Sequence, residues 1–255
     1  MRRPRVLPLL LLLLSCTLCA APGKDRISIA IGEWPPLISA ALPHYGVVPQ
    51  LITEIFAAEG ITVEYQFFPW KRAYQQVQSG ASDASALWGR TPEREAECVF
   101  SERVFSDELV LFYHRDTPLA WDGSLAGAEA LRGLTIGLPL GSAKAPVLEQ
   151  AQQRGWVRYE VGGDELLNLR KLLAKRFAAL DLAKSSGTYL LQQRFSAAER
   201  AQIAHTASYQ QWDYYLIFSK QGADNRRYRT LFDQGLRRLK ASGRYAQLWG
   251  DHPSH

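Results

Sequence analysis

The sequence predicts an α/β protein of two similar lobes, each a mainly parallel sheet covered by helices, joined by two crossing strands. Two observations predict this. A strand–helix–strand–helix–strand alternation runs through residues 27–88 and restarts at 134–182, and such alternation favours parallel pairing with helices on the sheet faces. Two long apolar runs, 107–114 and 213–219, lie where the chain must cross between the sheets and return. The expected boundaries are 1–21 for a signal peptide, 24–111 plus 217–255 for the first lobe and 112–216 for the second. One continuous doubly wound sheet is the competing arrangement. Two lobes with two crossings make a hinge, and the cleft between them is the natural ligand site.

The elements follow in order. "ISIAI" (27–31) reads as a buried strand. In "VVPQLITEIFAAEG" the apolar pairs at 47/48, 51/52 and 55/56 have helical spacing, and Gly60 marks the stop. "ITVEYQFF" (61–68) alternates as a strand does, "WKRAYQQVQSG" is a short helix ended by Gly80, and "DASALW" is a third strand. The apolar strand 107–116 leads into a polar, Gly-rich passage. The pattern then restarts with strand "LTIGL" (134–138), a helix near 145–154 and strand "VRYEV" (157–161). A helix from Asp164, its N-cap, strand "FAALDL" (177–182) and a helix near 186–194 complete the second unit. Strand 214–219, a long helix over 224–242 and a short one to Trp249 close the chain.

The composition is ordinary for a globular chain, at 255 residues, 47% hydrophobic and 22% charged. The start is different. "MRRPRVLPLLLLLLSCTLCAAPGKD" joins a basic end, an apolar run and small residues, the pattern of a secretory signal peptide. The run is shorter than the roughly 20 residues a spanning helix needs. Cys16 after "LLS" forms a weak lipobox, so a lipid anchor is the alternative to cleavage. Setting aside Arg2, Arg3 and Arg5 leaves 27 basic against 25 acidic residues, a balance of +2 rather than +5. No basic stripe suggests nucleic acid. Cys98 is the single cysteine beyond the leader, so no internal disulfide is expected. The sequence carries no metal spacing, no phosphate loop and no Ser-His-Asp arrangement. His44, His114 and His205 have no obvious partners. No cofactor and no catalytic residue is expected, and the reading is a monomeric, exported binder rather than an enzyme.

The series "IAIGEWPPL", "ITVEYQFFPWKRAYQQVQSGASDASALWGRTPERE", "FSERVF", "LRGLTIGLPLGS", "LLNLRKLLAKRFAALD" and "SGRYAQLWG" resembles the periplasmic solute-binding proteins of the polar amino acid type, which serve ABC importers. It covers nearly all of the chain beyond the leader. The resemblance implies a periplasmic binding protein-like fold that closes on a small anionic or zwitterionic solute for an ABC permease or a sensor receptor. It also implies that Arg94, three residues after Thr91, forks onto a ligand carboxylate. The residues make physical sense of this. Thr91 can cap a helix, Pro92 suits its first turn, and Arg supplies a planar two-donor fork. The competing reading pairs Arg94 with Glu93, Glu97 or Glu102 on the surface.

By the same resemblance Trp34 places a ring against the solute, Trp70 lines the cleft, and Trp88 and Gly89 offer backbone groups. Gly141, Ser142 and Ala143 form the Gly-Ser turn of the second lobe, with Lys144 beside it as a solvated side chain or a further charge. Trp34 and Trp70 also suit core packing. Two positions depart from the family's pattern: Leu87 stands where a hydroxyl is usual, and Ala183 where an acid meets the ligand's α-ammonium. Asp181 and Glu33 are the candidate substitutes. A carboxylate-containing solute is therefore the expectation, and an α-amino group on it is left open. A periplasmic enzyme of the same fold, similar to cyclohexadienyl dehydratases, is the alternative function, with Glu33 and Asp181 as its acid–base candidates.

Overall fold

The computed structural model describes residues 26–250, so the predicted signal peptide, with Cys16 and Cys19, lies outside the described residues. The first block runs β1 (Arg26–Ile31), α1 (Val47–Ala57), β2 (Thr62–Phe67), α2 (Trp70–Gln78) and β3 (Ala84–Gly89). β1 lies between β2 and β3 and is parallel to both. α1 buries the stripe that its spacing announces, Val47, Val48, Leu51, Ile52, Ile55 and Phe56. Burying one Leu or Ile side chain stabilises by about 1.5–3 kcal/mol, so this face alone fixes the helix on the sheet.

α3 (Pro92–Glu97) follows, with Thr91 as its N-cap; the Thr91 hydroxyl accepts the Arg94 backbone N–H at 3.3 Å. β4 (Cys98–His114) then crosses the molecule. It begins at Cys98, nine residues earlier than the apolar run at 107 suggested. Register shifts around Phe100, Arg103 and Phe105 break the inward–outward alternation there and hide the strand from a period-2 reading. Cys98 is 2% exposed, in a small cluster with Trp88, Phe100 and Ile217.

The second block is β5 (Thr135–Leu138), α4 (Pro146–Gln153), β6 (Arg158–Val161), α5 (Glu165–Leu173) and β7 (Ala179–Ala183). β5 is parallel to both β6 and β7. The expected N-cap of α5 is present, with Asp164 Oδ1 accepting the Leu167 N–H at 2.7 Å. α6 (Lys184–Arg194), α7 (Ala197–Arg200) and β8 (Ile203–His205) lead to the return crossing β9 (Gln210–Ser219), and α8 (Asn225–Ala241) and α9 (Arg244–Gly250) pack back on the first block. α7 and β8 were not expected; at four and three residues they are too short for a hydrophobic period.

The strands follow one hydrogen-bonded path, β2-β1-β3-β9-β4-β7-β5-β6, with β8 added against β4. The path is unbroken, as the competing arrangement required, but its two parallel blocks are held apart by the antiparallel pair β9–β4. The expected lobe boundaries at 111/112 and 216/217 fall inside these two strands. Beside the pair, β1–β3 with α1, α8 and α9 enclose the main core, while two separate clusters cover the faces of the second block. Among the described residues no helix is long and apolar enough to cross a membrane.

Candidate functional site

A cavity of about 540 Å³ opens between the blocks, at the C-terminal ends of β1, β3, β5 and β7. Carboxyl ends of parallel strands are where open α/β sheets place their ligands. The first block contributes Glu33, Trp34, Trp70, Trp88, Gly89 and Arg94, and the second contributes Gly141, Ser142, Ala143 and Asp181. These ten residues expected at the site therefore line one cavity. Lys144 does not; its Nζ donates to Gln152 Oε1 at 2.8 Å. The departures Leu87 and Ala183 both line the wall.

Arg94 spans the gap between the blocks. Its Nη1 donates to the Gly89 carbonyl at 2.9 Å, and its Nη2 to the Gly141 carbonyl at 3.0 Å. The guanidinium also stacks 4.8 Å from the Trp88 ring. The surface pairing considered for it is not formed. Arg90 takes Glu95 at 3.3 Å, Arg237 takes Glu102 at 2.9 Å, and Glu97 accepts Tyr74 and Gln78, both at 2.6 Å. Burial disfavours the charge on Arg94 and draws its pKa below the ordinary value, opposed by the electron-rich hydroxyls of Tyr74 and Tyr214. Two carbonyls leave the remaining N–H donors of the fork for an anion.

The tryptophans are held by close approach to glycines. Trp70 Nε1 donates to the Glu33 carbonyl at 3.0 Å, and its ring lies so close to Gly32 that a Cβ there would sit 2.5 Å from it. A Cβ added at Gly89 would meet the Trp212 indole in the same way, 2.0 Å from Nε1. The pairs in "IGEW" and "LWGR" thus place glycine where an indole from another segment must pass. Trp34 is 7% exposed and packs against Trp70 at 6.3 Å and Tyr214 at 4.8 Å. It is both core and cavity wall.

The second block supplies acids. Asp181, 3% exposed, accepts the Tyr159 hydroxyl at 3.0 Å on Oδ2 and the Tyr209 hydroxyl on Oδ1. Burial pushes its carboxyl up to about 6, against the pull of those two hydrogen bonds. Glu165, the first residue of α5, accepts the Ser186 hydroxyl on Oε2, and burial raises its carboxyl to about 8. Behind it Asp107, also raised by burial, accepts the Ser185 hydroxyl. Glu33 is exposed at the rim, where Oε1 accepts the Ala40 N–H at 3.0 Å.

Glu165, Trp212 and Tyr214 also line the cavity and were missed in the sequence reading. The signal for Glu165 was present but weak. It follows the N-cap of a helix that starts at the C-terminal edge of β6, the position that made Trp34 and Arg94 suspect in the first block. Trp212 and Tyr214 lie in a crossing strand and read as core. Among the described residues no cluster of His, Cys, Asp and Glu is arranged to hold a metal ion.

Solved structures of the same fold bind small solutes. The chain superposes on the substrate-binding protein of an amino acid ABC transporter with a TM-score of 0.74 at 16% identity, over 90% of this chain and 100% of that one. An amino acid ABC transporter substrate-binding protein from Streptococcus pneumoniae, bound to L-arginine, matches with a TM-score of 0.70 at 16% identity, over 89% and 94% of the two chains. A histidine kinase sensor domain similar to periplasmic binding proteins matches at 0.73 and 19% identity, over 90% and 96%. A search of curated protein sequences finds no match. At these identities the likeness establishes the mixed α/β periplasmic binding protein-like fold. The sequence itself goes further: residues 28–251 match the bacterial extracellular solute-binding proteins, family 3, and the chain belongs to that family.

Proposed function

We propose that the protein is an exported, monomeric binder that captures a small carboxylate-containing solute, an amino acid or a related compound, between two hinged lobes. The observation that carries this reading is Arg94. It is a largely buried guanidinium in the cavity, it has no acidic partner among the described residues, and it touches both blocks through Gly89 and Gly141. A ligand carboxylate would neutralise it there and bridge the blocks, and a ligand that contacts both shifts the population to the closed form. Related proteins of this fold are named for amino acid transport, which supports delivery to an ABC importer from the periplasm.

A thermal-shift screen against amino acids, dicarboxylates, aromatic acids and polyamines tests the reading. Stabilisation by carboxylate-bearing solutes supports it; stabilisation by none of them removes it. Deleting the gene separates importer from sensor. Lost uptake of the identified solute supports an importer, while intact uptake with a lost response supports a sensor partner, a role suggested by the likeness to a kinase sensor domain.

One observation favours a second reading. A carboxyl held protonated near neutral pH inside a cleft, as at Glu165, is also the form a general acid takes. Turnover of prephenate or arogenate by the purified protein would establish an enzyme; its absence leaves the binder.

A further inference from the structure

We propose that the cavity takes a flat, ring-bearing carboxylate with no ammonium group, an aryl alkanoate rather than an amino acid. This rests on the reading of the cavity as a carboxylate site and specifies the rest of the solute.

The acceptors around the cavity are engaged by the protein itself. Both oxygens of Asp181 hold tyrosine hydroxyls. Oε2 of Glu165 holds the Ser186 hydroxyl, and near neutral pH burial keeps this carboxyl protonated and uncharged. The Asp164 carboxyl caps α5 through the Leu167 N–H. Glu33 is exposed at the rim, where an ion pair is worth little.

Backbone acceptors are used in the same way. The Gly89 and Gly141 carbonyls accept Arg94, and the Glu33 carbonyl accepts Trp70 Nε1. An ammonium sharing either glycine carbonyl would lie beside the guanidinium, where like charges repel strongly away from bulk water. A buried ammonium left without a partner is destabilised by several kcal/mol. A carboxylate meets no such obstacle, because Arg94 has donors left. Among the lining residues, the buried side-chain polar atom without a partner is also a donor, Trp34 Nε1. The site is thus rich in donors and poor in acceptors.

The rest of the wall is apolar and aromatic. Leu87 near the end of β3, Leu138 at the end of β5, Ala183 at the end of β7 and Leu109 from the crossing strand β4 offer a solute only methyl and methylene groups. Three indoles meet edge to face in series, Trp34 with Trp70 at 6.3 Å and Trp70 with Trp88 at 5.5 Å. Trp212 and Tyr214 add two more rings to the lining. Aromatic rings favour edge-to-face or offset contact at about 4.5–7 Å, so a flat ring on the solute continues the series. The cavity of about 540 Å³ has room for such a ring and a short chain reaching Arg94.

Calorimetry on the purified protein at pH 7 tests this with pairs that differ only in the ammonium group: 3-phenylpropanoate against L-phenylalanine, and 3-indolepropanoate against L-tryptophan. At least one aryl alkanoate is expected to bind about tenfold or more tightly than its amino acid, the effect of one unpaired charge. It should also bind severalfold more tightly than hexanoate, which has the chain without the ring. Ala183→Asp, which sets a carboxyl on the wall, should narrow the ratio within the pair. Phenethylamine, with the ring and the ammonium but no carboxylate, should not bind the parent protein, and this measurement serves if the aspartate variant folds poorly. Amino acids that bind as tightly as their ammonium-free partners overturn the proposal and leave the carboxylate reading intact. So does hexanoate binding as tightly as the aryl acids, or a ratio unchanged in folded Ala183→Asp. Phenethylamine binding without any of the carboxylates overturns both readings, as does binding by none of these solutes together with no response in the wider carboxylate screen.

Discussion

The wall built by β1, α2, β3 and α3 presents indoles and one arginine; the wall built by β7 and the starts of α5 and α6 presents carboxyls held by hydroxyls. In the first wall, the polar groups are pinned by backbone: Arg94 by two carbonyls, Trp70 by the Glu33 carbonyl. In the second, the acids are held by side chains, Tyr159, Tyr209 and Ser186. Burial lowers the pKa of Arg94, yet a guanidinium is basic enough to stay charged at any ordinary pH, and the two carbonyls fix its position. Hydroxyl-held acids in a buried wall shift their pKa upward and respond to pH. The first wall thus carries a fixed positive charge and the second a set of titratable carboxyls.

Breaking the first wall has the largest expected effect. Arg94→Ala removes charge-assisted hydrogen bonds worth about 1.5–3 kcal/mol, so affinity for the bound carboxylate solute should fall by about tenfold to a hundredfold in calorimetry. Unchanged affinity would take Arg94 out of the site. Gly89→Ala comes next. A methyl there would lie 2.0 Å from Trp212 Nε1, a distance no side chain tolerates, so Trp212 or the end of β3 must move. Overpacking of this kind costs about 1–3 kcal/mol and should lower Tm by several degrees while also weakening binding, because Trp212 and Gly89 both line the cavity.

The same contrast explains what could be read from the sequence. The two-block fold was legible because it rests on long apolar periods and Gly stops. Thr91, Pro92 and Arg94 were legible because they sit together at a strand end. The acidic wall was not, because its members lie far apart in the chain, at Asp107, Glu165 and Asp181, and meet only through the pairing of β4 with β7 and the packing of α5 and α6. Asp181 entered as a substitute for an acid missing at Ala183; the structure places it deep and already paired, and puts the freer carboxylate on α5. The Cys98–Ser106 part of β4 escaped for a local reason, its bulges.

Sharpening the second wall is a matter of pH. A cationic group seated at this wall would need Glu165 ionised, so it would expel a proton from a carboxyl raised by burial to about 8. Affinity for a cationic solute should therefore rise severalfold from pH 6 to 8.5 and level off above. The charged neighbours of Glu165, Asp107 on β4 and Asp164 at the helix cap, both push in this direction. A neutral analogue should show little of the trend. Calorimetry in two buffers of different ionisation enthalpy would reveal the proton release directly; its absence would mean that Glu165 is already ionised or does not meet the ligand.

The smallest expected effect separates a binding role for Glu165 from a structural one. Burial raises its folded pKa to about 8, above the ordinary 4.5 of a glutamate, so the folded state holds a proton that the unfolded state has lost across that window. Stability then falls as pH rises from about 4.5 to 8, because the folded carboxyl must ionise in a buried site. Glutamine does not titrate. Glu165→Gln should match the parent Tm near pH 4.5 and exceed it at pH 8.5 by at least about 2–4 °C, the shift that about 1 kcal/mol produces in a chain of this size, since each pKa unit of the rise is worth about 1.4 kcal/mol. Asp181 falls in stability contribution over a lower window in both proteins and cancels in the difference. A variant that is more stable at high pH, yet binds the solute found in the screen less well, would show that the carboxylate is kept at a cost to the fold for what it binds. A variant that gains stability with selectivity unchanged would make Glu165 a strained buried acid and nothing more.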